Sequence, residues 1–156
     1  MIIESIQRYN WEGKTVLIVE EDTSSLFFLK EILGFTRTGI LEAQTGEDAI
    51  FLVKKHRNID MVLIDIGISC SDGYDVVRRI KSLKKDLPVI VQTTHTLPED
   101  RENCYRAGCD AFVAKPIDTF ELLWKIDHFM SGDADTGDPE RIEYLRKKSD
   151  AEKRNP

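Results

Sequence analysis

Five short apolar runs recur along the chain: Val16–Val19, Ile40–Ala43, Met61–Ile64, Val89–Val91 and Ala111–Ala114. Within Met61–Ile64 every position is apolar rather than every second one, the pattern of a strand buried on both faces of a sheet. Longer stretches with helical periodicity separate the runs. Helix starts are legible between them. Thr45-Gly46-Glu47-Asp48 and Thr96-Leu97-Pro98-Glu99 fit capping boxes, the second with Pro just inside the helix, and Asp118-Thr119-Phe120-Glu121 is a close variant. Gly108 follows Ala107 where a left-handed helix stop is expected. Strand and helix thus alternate five times. Parallel strands need such crossovers, so the pattern predicts a doubly wound α/β domain over residues 14–131.

The ends read differently. Residues 1–13 form a lead-in containing Trp11, which either packs on the domain or joins it to something upstream. Residues 132–156 form a charged tail that opens with a flexible polar stretch, Gly132 to Asp138. Pro139 then starts one more short helix through about Lys148, with Ile142, Tyr144 and Leu145 to bury.

Composition narrows the function classes. A chain of 156 residues, 41% hydrophobic, can bury one real core. The net charge of −6 argues against intrinsic affinity for nucleic acid or anionic membranes. With no window of about 18 apolar residues and no signal-peptide pattern, a cytoplasmic location without membrane insertion is expected. Cys70, Cys104 and Cys109 are odd in number and lack CxxC spacing, the pattern of reduced, non-ligand thiols.

Ligands of an open parallel sheet bind beyond the carboxyl ends of its strands. Those ends carry Glu20, Glu21 and Asp22 after the first run, Asp65 after the third, Thr93 and Thr94 after the fourth, and Lys115-Pro116 after the fifth. Acids crowded together raise one another's pKa unless a cation sits among them, and all-oxygen donors at an exposed edge suit a hard divalent ion such as Mg2+. A carboxylate flanked by metal, ammonium and hydroxyl is an arrangement for phosphoryl transfer, with the carboxylate as nucleophile and an acyl phosphate as product. The competing reading takes Asp65 as a turn or helix cap and the three adjacent acids as ordinary residues at a helix start.

The segments VLIVEED, MVLIDIGISCSDGYD, PVIVQTT and AFVAKP, in this order and spacing, closely resemble the receiver domain of two-component response regulators. WEGKTVLIVEED with AGCDAFVAKPI looks most like the receivers of hybrid sensor histidine kinases. The resemblance implies a flavodoxin-like, five-stranded parallel sheet of order 2-1-3-4-5. It also implies that Asp65 accepts a phosphoryl group from phosphohistidine on a sensor kinase or histidine phosphotransfer domain. Glu20, Glu21, Asp65 and the backbone carbonyl of Gly67 would then hold Mg2+ (or Mn2+). Thr93 would be the switch hydroxyl, Lys115 the paired lysine, Pro116 the residue after a cis bond, and Phe112 the rotating aromatic. Phosphorylation would change a surface around the fourth and fifth strands and helices, a face that also suits a homodimer. The product is a signal, so the domain is expected to be no turnover enzyme, although it can catalyse its own phosphorylation and dephosphorylation.

Several residues depart from the family pattern. Glu21 stands where Asp is usual, Ser69 where Pro is usual, and Thr94 where a smaller residue follows the switch Thr. Ser69 is expected to loosen its loop. Gly67 and His95 occupy the positions that tune loss of the phosphoryl group. These departures keep open a degenerate receiver that works as an interaction module without phosphate. An aspartyl-phosphate phosphatase fits less well, because Gly67 stands where such enzymes place a second Asp. His95 reads as a solvated loop residue, His56 and His128 as helix residues without acidic partners, and Asp72-Gly73 as turn chemistry. Phe120 and Trp124 widen the apolar band of Leu122, Leu123, Ile126, Phe129 and Met130 into a partner face or a dock for the tail. Phe27 beside Phe28 likewise exceeds the core stripe, and the resemblance implies that this helix meets the phosphodonor.

Overall fold

The computed structural model describes residues 2–69, 72–131 and 139–154. In chain order the elements are α1 (Ile2–Gln7), β1 (Thr15–Val19), α2 (Thr23–Gly34), β2 (Gly39–Ala43), α3 (Gly46–Lys55), β3 (Met61–Asp65), α4 (Gly73–Leu83), β4 (Val89–Thr93), α5 (Pro98–Ala107), β5 (Ala111–Ala114), α6 (Thr119–Met130) and α7 (Pro139–Arg154). All five apolar runs are strands, paired in parallel in the order β2-β1-β3-β4-β5. The doubly wound, flavodoxin-like expectation is therefore the observed fold.

Strand alternation divides the core into two layers. Leu17, Val19, Val62, Ile64, Val89, Val91 and Phe112 point to one face, where Ala49, Val53, Val76, Ile80 and Cys104 of α3, α4 and α5 cover them. Val16, Ile18, Met61, Leu63, Ile90, Ala111 and Val113 point to the other, under Leu29 and Leu33 of α2 and Leu122 and Ile126 of α6. Register holds the carboxyl ends level. Val19 lies beside Ile64, Asp65 beside Gln92, and Thr93 beside Ala114.

Local chemistry sets the helix ends. Asp22, Thr45, Asp72 and Asp118 each accept a backbone N–H from the first turn of the helix that follows. The α5 start differs from expectation. Its N-cap is Leu97, not Thr96, and only the reciprocal half of a box is made, Leu97 N donating to Asp100 Oδ2 at 3.1 Å. Gly108 ends α5 at φ 107°, the left-handed conformation that favours glycine. Gly73 is required for space: a Cβ there would come within 2.4 Å of the Ile66 carbonyl oxygen.

The lead-in packs on the α2/α6 layer rather than projecting from it. Ile6, Tyr9 and Trp11 are buried, and Trp11 Nε1 donates to Asp127 Oδ1 at 2.9 Å. The tail helix continues past Lys148 to Arg154 and buries none of its residues; Ile142 and Leu145 stay exposed, while Tyr144 packs against the α3/α4/α5 layer. Cys104 and Cys109 are buried free thiols. Cys70 and the polar stretch 132–138 lie outside the described residues. Among the described residues no helix is long and apolar enough to cross a membrane. Phe27, Phe28, Phe120 and Trp124 are exposed, as the width of their apolar bands predicts.

Candidate functional site

Because successive strand residues alternate faces, Glu20, Asp65 and Lys115 continue the parity of Ile18, Leu63 and Val113 and meet above the α2/α6 layer. Lys115 Nζ donates to Asp65 Oδ2 at 2.6 Å and to Glu20 Oε2 at 3.3 Å. The remaining carboxylate oxygens take backbone donors, Gly67 N to Asp65 Oδ1 at 2.8 Å and Asp22 N to Glu20 Oε1 at 3.1 Å. Each acid is held on both oxygens and has little rotational freedom left. The Lys115–Pro116 bond is cis.

The electrostatics are those of a site short of positive charge. Glu20 is 1% exposed. Burial, and next the charge of Asp65, push its carboxyl above the ordinary value, although Lys115 opposes both. Burial alone would lower the Lys115 ammonium; its hydrogen bond to Asp65 and the charges of Asp65 and Glu20 outweigh this and hold it above the usual lysine value. Two carboxylates thus share one ammonium, and an added cation would relieve the excess.

Thr93 and Phe112 lie on the opposite parity, facing the α3/α4/α5 layer. Val91 sits beside Phe112 in the register, so Thr93 is Phe112's diagonal neighbour on that face. Both are buried, Thr93 at 1% and Phe112 at 3% exposure. Thr93 Oγ1 accepts from His95 N at 3.0 Å, and its own O–H remains a donor. The Arg101 guanidinium lies over the Phe112 ring, 5.7 Å from its centroid. Gln92, beside Asp65, is fully buried, and its amide finds no protein partner among the described residues.

Glu21 stands apart from the other two acids. Its Oε2 accepts from Ser69 Oγ at 2.7 Å and from Ser69 N at 3.1 Å, across the mouth of the β3–α4 connection. Ser69 therefore ties its loop to β1's end instead of loosening it, because a hydroxyl and an N–H replace a proline that has neither. Among the described residues no three His, Cys, Asp or Glu side chains cluster as a metal site. Asp22, next along, is spent on capping α2 through Ser25. Sequence reasoning found Glu20, Asp65, Thr93 and Lys115 from strand-end positions, and Phe112 from the family resemblance alone. It missed the Ser69 clamp and the Arg101 cover, which join residues far apart in the chain and carry no local signature.

The response regulator receiver domain family model matches residues 16–127. A cyclic di-GMP phosphodiesterase of Thermotoga maritima is 33% identical over 114 residues, which make up 73% of this chain and 30% of that protein. The sensor histidine kinase RcsC of Escherichia coli K12 is 32% identical over 102 residues, 65% of this chain and 11% of the kinase. The chain thus spans under a third of either relative. Among solved structures, the receiver domain of the sensor histidine kinase PA1611 from Pseudomonas aeruginosa, with a magnesium ion coordinated in its active-site cleft, is 26% identical with a TM-score of 0.71, covering 77% of this chain and 99% of that one. The strand order, the pairing of Lys115 with Asp65 at the sheet edge, and a family match that spans every strand lead to one assignment: this chain belongs to the response regulator receiver domain family of two-component signalling.

Proposed function

We propose that this domain accepts a phosphoryl group on Asp65 from a phosphohistidine, on a sensor histidine kinase or a histidine phosphotransfer domain, in a Mg2+-dependent reaction (Mn2+ serving as well). The carrying observation is the 2.6 Å contact between Lys115 Nζ and Asp65 Oδ2 at the level carboxyl edge of the sheet. An Asp65 oxygen attacks phosphorus, the P–N bond breaks, and the imidazole nitrogen keeps the electron pair and takes up a proton. Lys115 then holds the new acyl phosphate, and the Thr93 hydroxyl donates to it. The donor set fits a hard cation: Glu20, Asp65 and the Gly67 carbonyl offer oxygen at a site with an unbalanced negative charge. Glu21 would join them on leaving Ser69. When bound, the ion supplies charge neutralisation at the phosphoryl oxygens.

The product is a shifted surface rather than a released molecule, so the domain acts as a signalling element and not as a turnover enzyme. Thr93 moves toward the phosphate and Phe112, already buried, is held inward with it, changing the face built by β4, α5, β5 and α6, which also serves any homodimer. A cytoplasmic location, where kinases of this type present their phosphohistidine, is part of the same proposal, as is membership of a longer hybrid kinase.

The test is intact mass after incubation with acetyl phosphate, with and without Mg2+, and with Asp65→Asn as control. One phosphate adduct that needs both Mg2+ and Asp65 is the expected result. No adduct in folded protein would favour the phosphate-independent interaction module, to which the capture of Glu21 by Ser69 points.

A further inference from the structure

The α5 face carries a segment of this chain on it. Tyr144 of α7 stacks on Tyr105 of α5, ring centroids 5.5 Å apart and planes 30° from parallel. Arg101 of α5 pairs with Glu140 in the first turn of α7 at 3.7 Å. The same Arg101 covers the Phe112 ring. One side chain therefore touches both the buried aromatic of the switch layer and the helix docked outside it.

From this we infer that α7 is the built-in occupant of the α5 face, and that its docking is linked to phosphorylation of Asp65 through Phe112 and Arg101. The inference rests on the phosphoacceptor reading above. Its sign follows from the geometry. Phe112 is inward here, 3% exposed, beneath a guanidinium that is itself 45% exposed. Movement of the ring would disturb that guanidinium, which also pairs with Glu140. Docked α7 and inward Phe112 thus support each other, and inward is the position phosphorylation favours. Coupling between two sites is reciprocal, so phosphate on Asp65 tightens α7 on α5.

The docking is weak enough to respond. No residue of α7 is buried, and a groove of about 790 Å³ remains between the two helices, lined in part by Arg101, Tyr105, Glu140 and Tyr144. Among the described residues the contacts between the two helices include one ring stack and one exposed ion pair, interactions that a modest bias can release or secure. Arg101 and Glu140 pair across the groove, whose lining otherwise mixes both signs, with Glu102 and Arg106 on α5 and Glu143, Lys147 and Lys148 on α7. A partner or second copy seeking the α5 face must therefore compete with α7, and competes less well once Asp65 is phosphorylated.

The experiment is hydrogen exchange of the α7 amides in the full chain, unphosphorylated and under acetyl phosphate with Mg2+, with intact mass read on the same samples. With an adduct present, exchange in α7 slows by about fivefold or more, the lower range of ordinary allosteric coupling. Arg101→Ala and, separately, Glu140→Gln, both at exposed positions outside the acid cluster, form the adduct but lose the slowing. An adduct with unchanged or faster α7 exchange overturns the inference and leaves the phosphoacceptor reading standing. Slowing that survives both variants overturns Arg101 as the link. Absence of any adduct removes the phosphoacceptor reading and this inference with it.

Discussion

Glu21 and Ser69 are two departures from the receiver pattern that meet each other in space, 48 residues apart in the chain. A carboxylate one methylene longer than usual reaches a serine that replaces proline, and the pair closes the loop. Each was visible in the sequence as a departure; that they form one contact was not, because nothing local in either segment encodes it. If Glu21 must leave Ser69 to reach the ion, then Ser69→Ala, which removes the 2.7 Å hydroxyl donor, strengthens Mg2+ binding. Losing one competing hydrogen bond, worth about 0.5–1.5 kcal/mol net, corresponds to a gain of roughly twofold to tenfold. Calorimetric titration reads it directly, and an unchanged affinity would show that Glu21 takes no part in holding the ion. Glu20 supports a second prediction at this scale. Its folded-state carboxyl is raised by burial and then by Asp65, so its protonated form favours folding. That contribution is complete below the unfolded carboxyl value and is lost as pH rises through the raised one. In metal-free protein Glu20→Gln should therefore match the wild type near pH 4 and below, yet melt higher at pH 7, by about 2–4 °C for each kcal/mol relieved. Thermal melts at both pH values decide it. A variant that melts lower at pH 7 would mean that Glu20 and Lys115 attract more strongly than burial and Asp65 repel.

Elements were the most legible scale, for a physical reason. Strands buried on both faces have no polar positions to disguise them, and Met61-Val62-Leu63-Ile64 reads as a strand without any alignment. Caps at Thr45 and Asp118 follow from side chains that satisfy orphan N–H groups, and the glycine stop at 108 follows from backbone sterics. The α5 start slipped by one residue because proline is tolerated at either of the first two helical positions, so both Leu97 and Thr96 are compatible N-caps. Asp100, reaching back to Leu97 N, decides between them. Helix α7 ran longer than its pattern suggested. Its three apolar residues gave no reason to extend it, whereas Glu143 with Arg146 and Lys147, and Arg146 with Asp150, supply ion pairs at helical spacing that continue the helix on an exposed surface. Which element covers which face was least legible, because among the described residues the α7–α5 contacts include a tyrosine pair and an ion pair that no hydrophobic stripe announces.

At the scale of the whole molecule the two ends of the chain have opposite relations to the core. Residues 1–13 were open to two readings, and the structure places Ile6, Tyr9 and Trp11 inside the α2/α6 layer, with Trp11 fixed by Asp127 and by a backbone bond to Thr36. Helix α7 rests on the outside and buries nothing completely. Two truncations separate these roles. A chain beginning at residue 14 loses at least the about 3–5 kcal/mol expected when a buried tryptophan is deleted, a large part of a typical domain's total of about 5–15 kcal/mol. A chain ending at residue 131 forgoes the Tyr105–Tyr144 stack and exposed ion pairs, together about 1–2 kcal/mol. Urea denaturation of both, against the full chain, should therefore move the midpoint far for the first and little for the second. A first truncation as stable as the full chain would make the lead-in an appendage despite its burial. A second truncation that unfolds would make α7 part of the core, too firmly attached to respond to the state of Asp65.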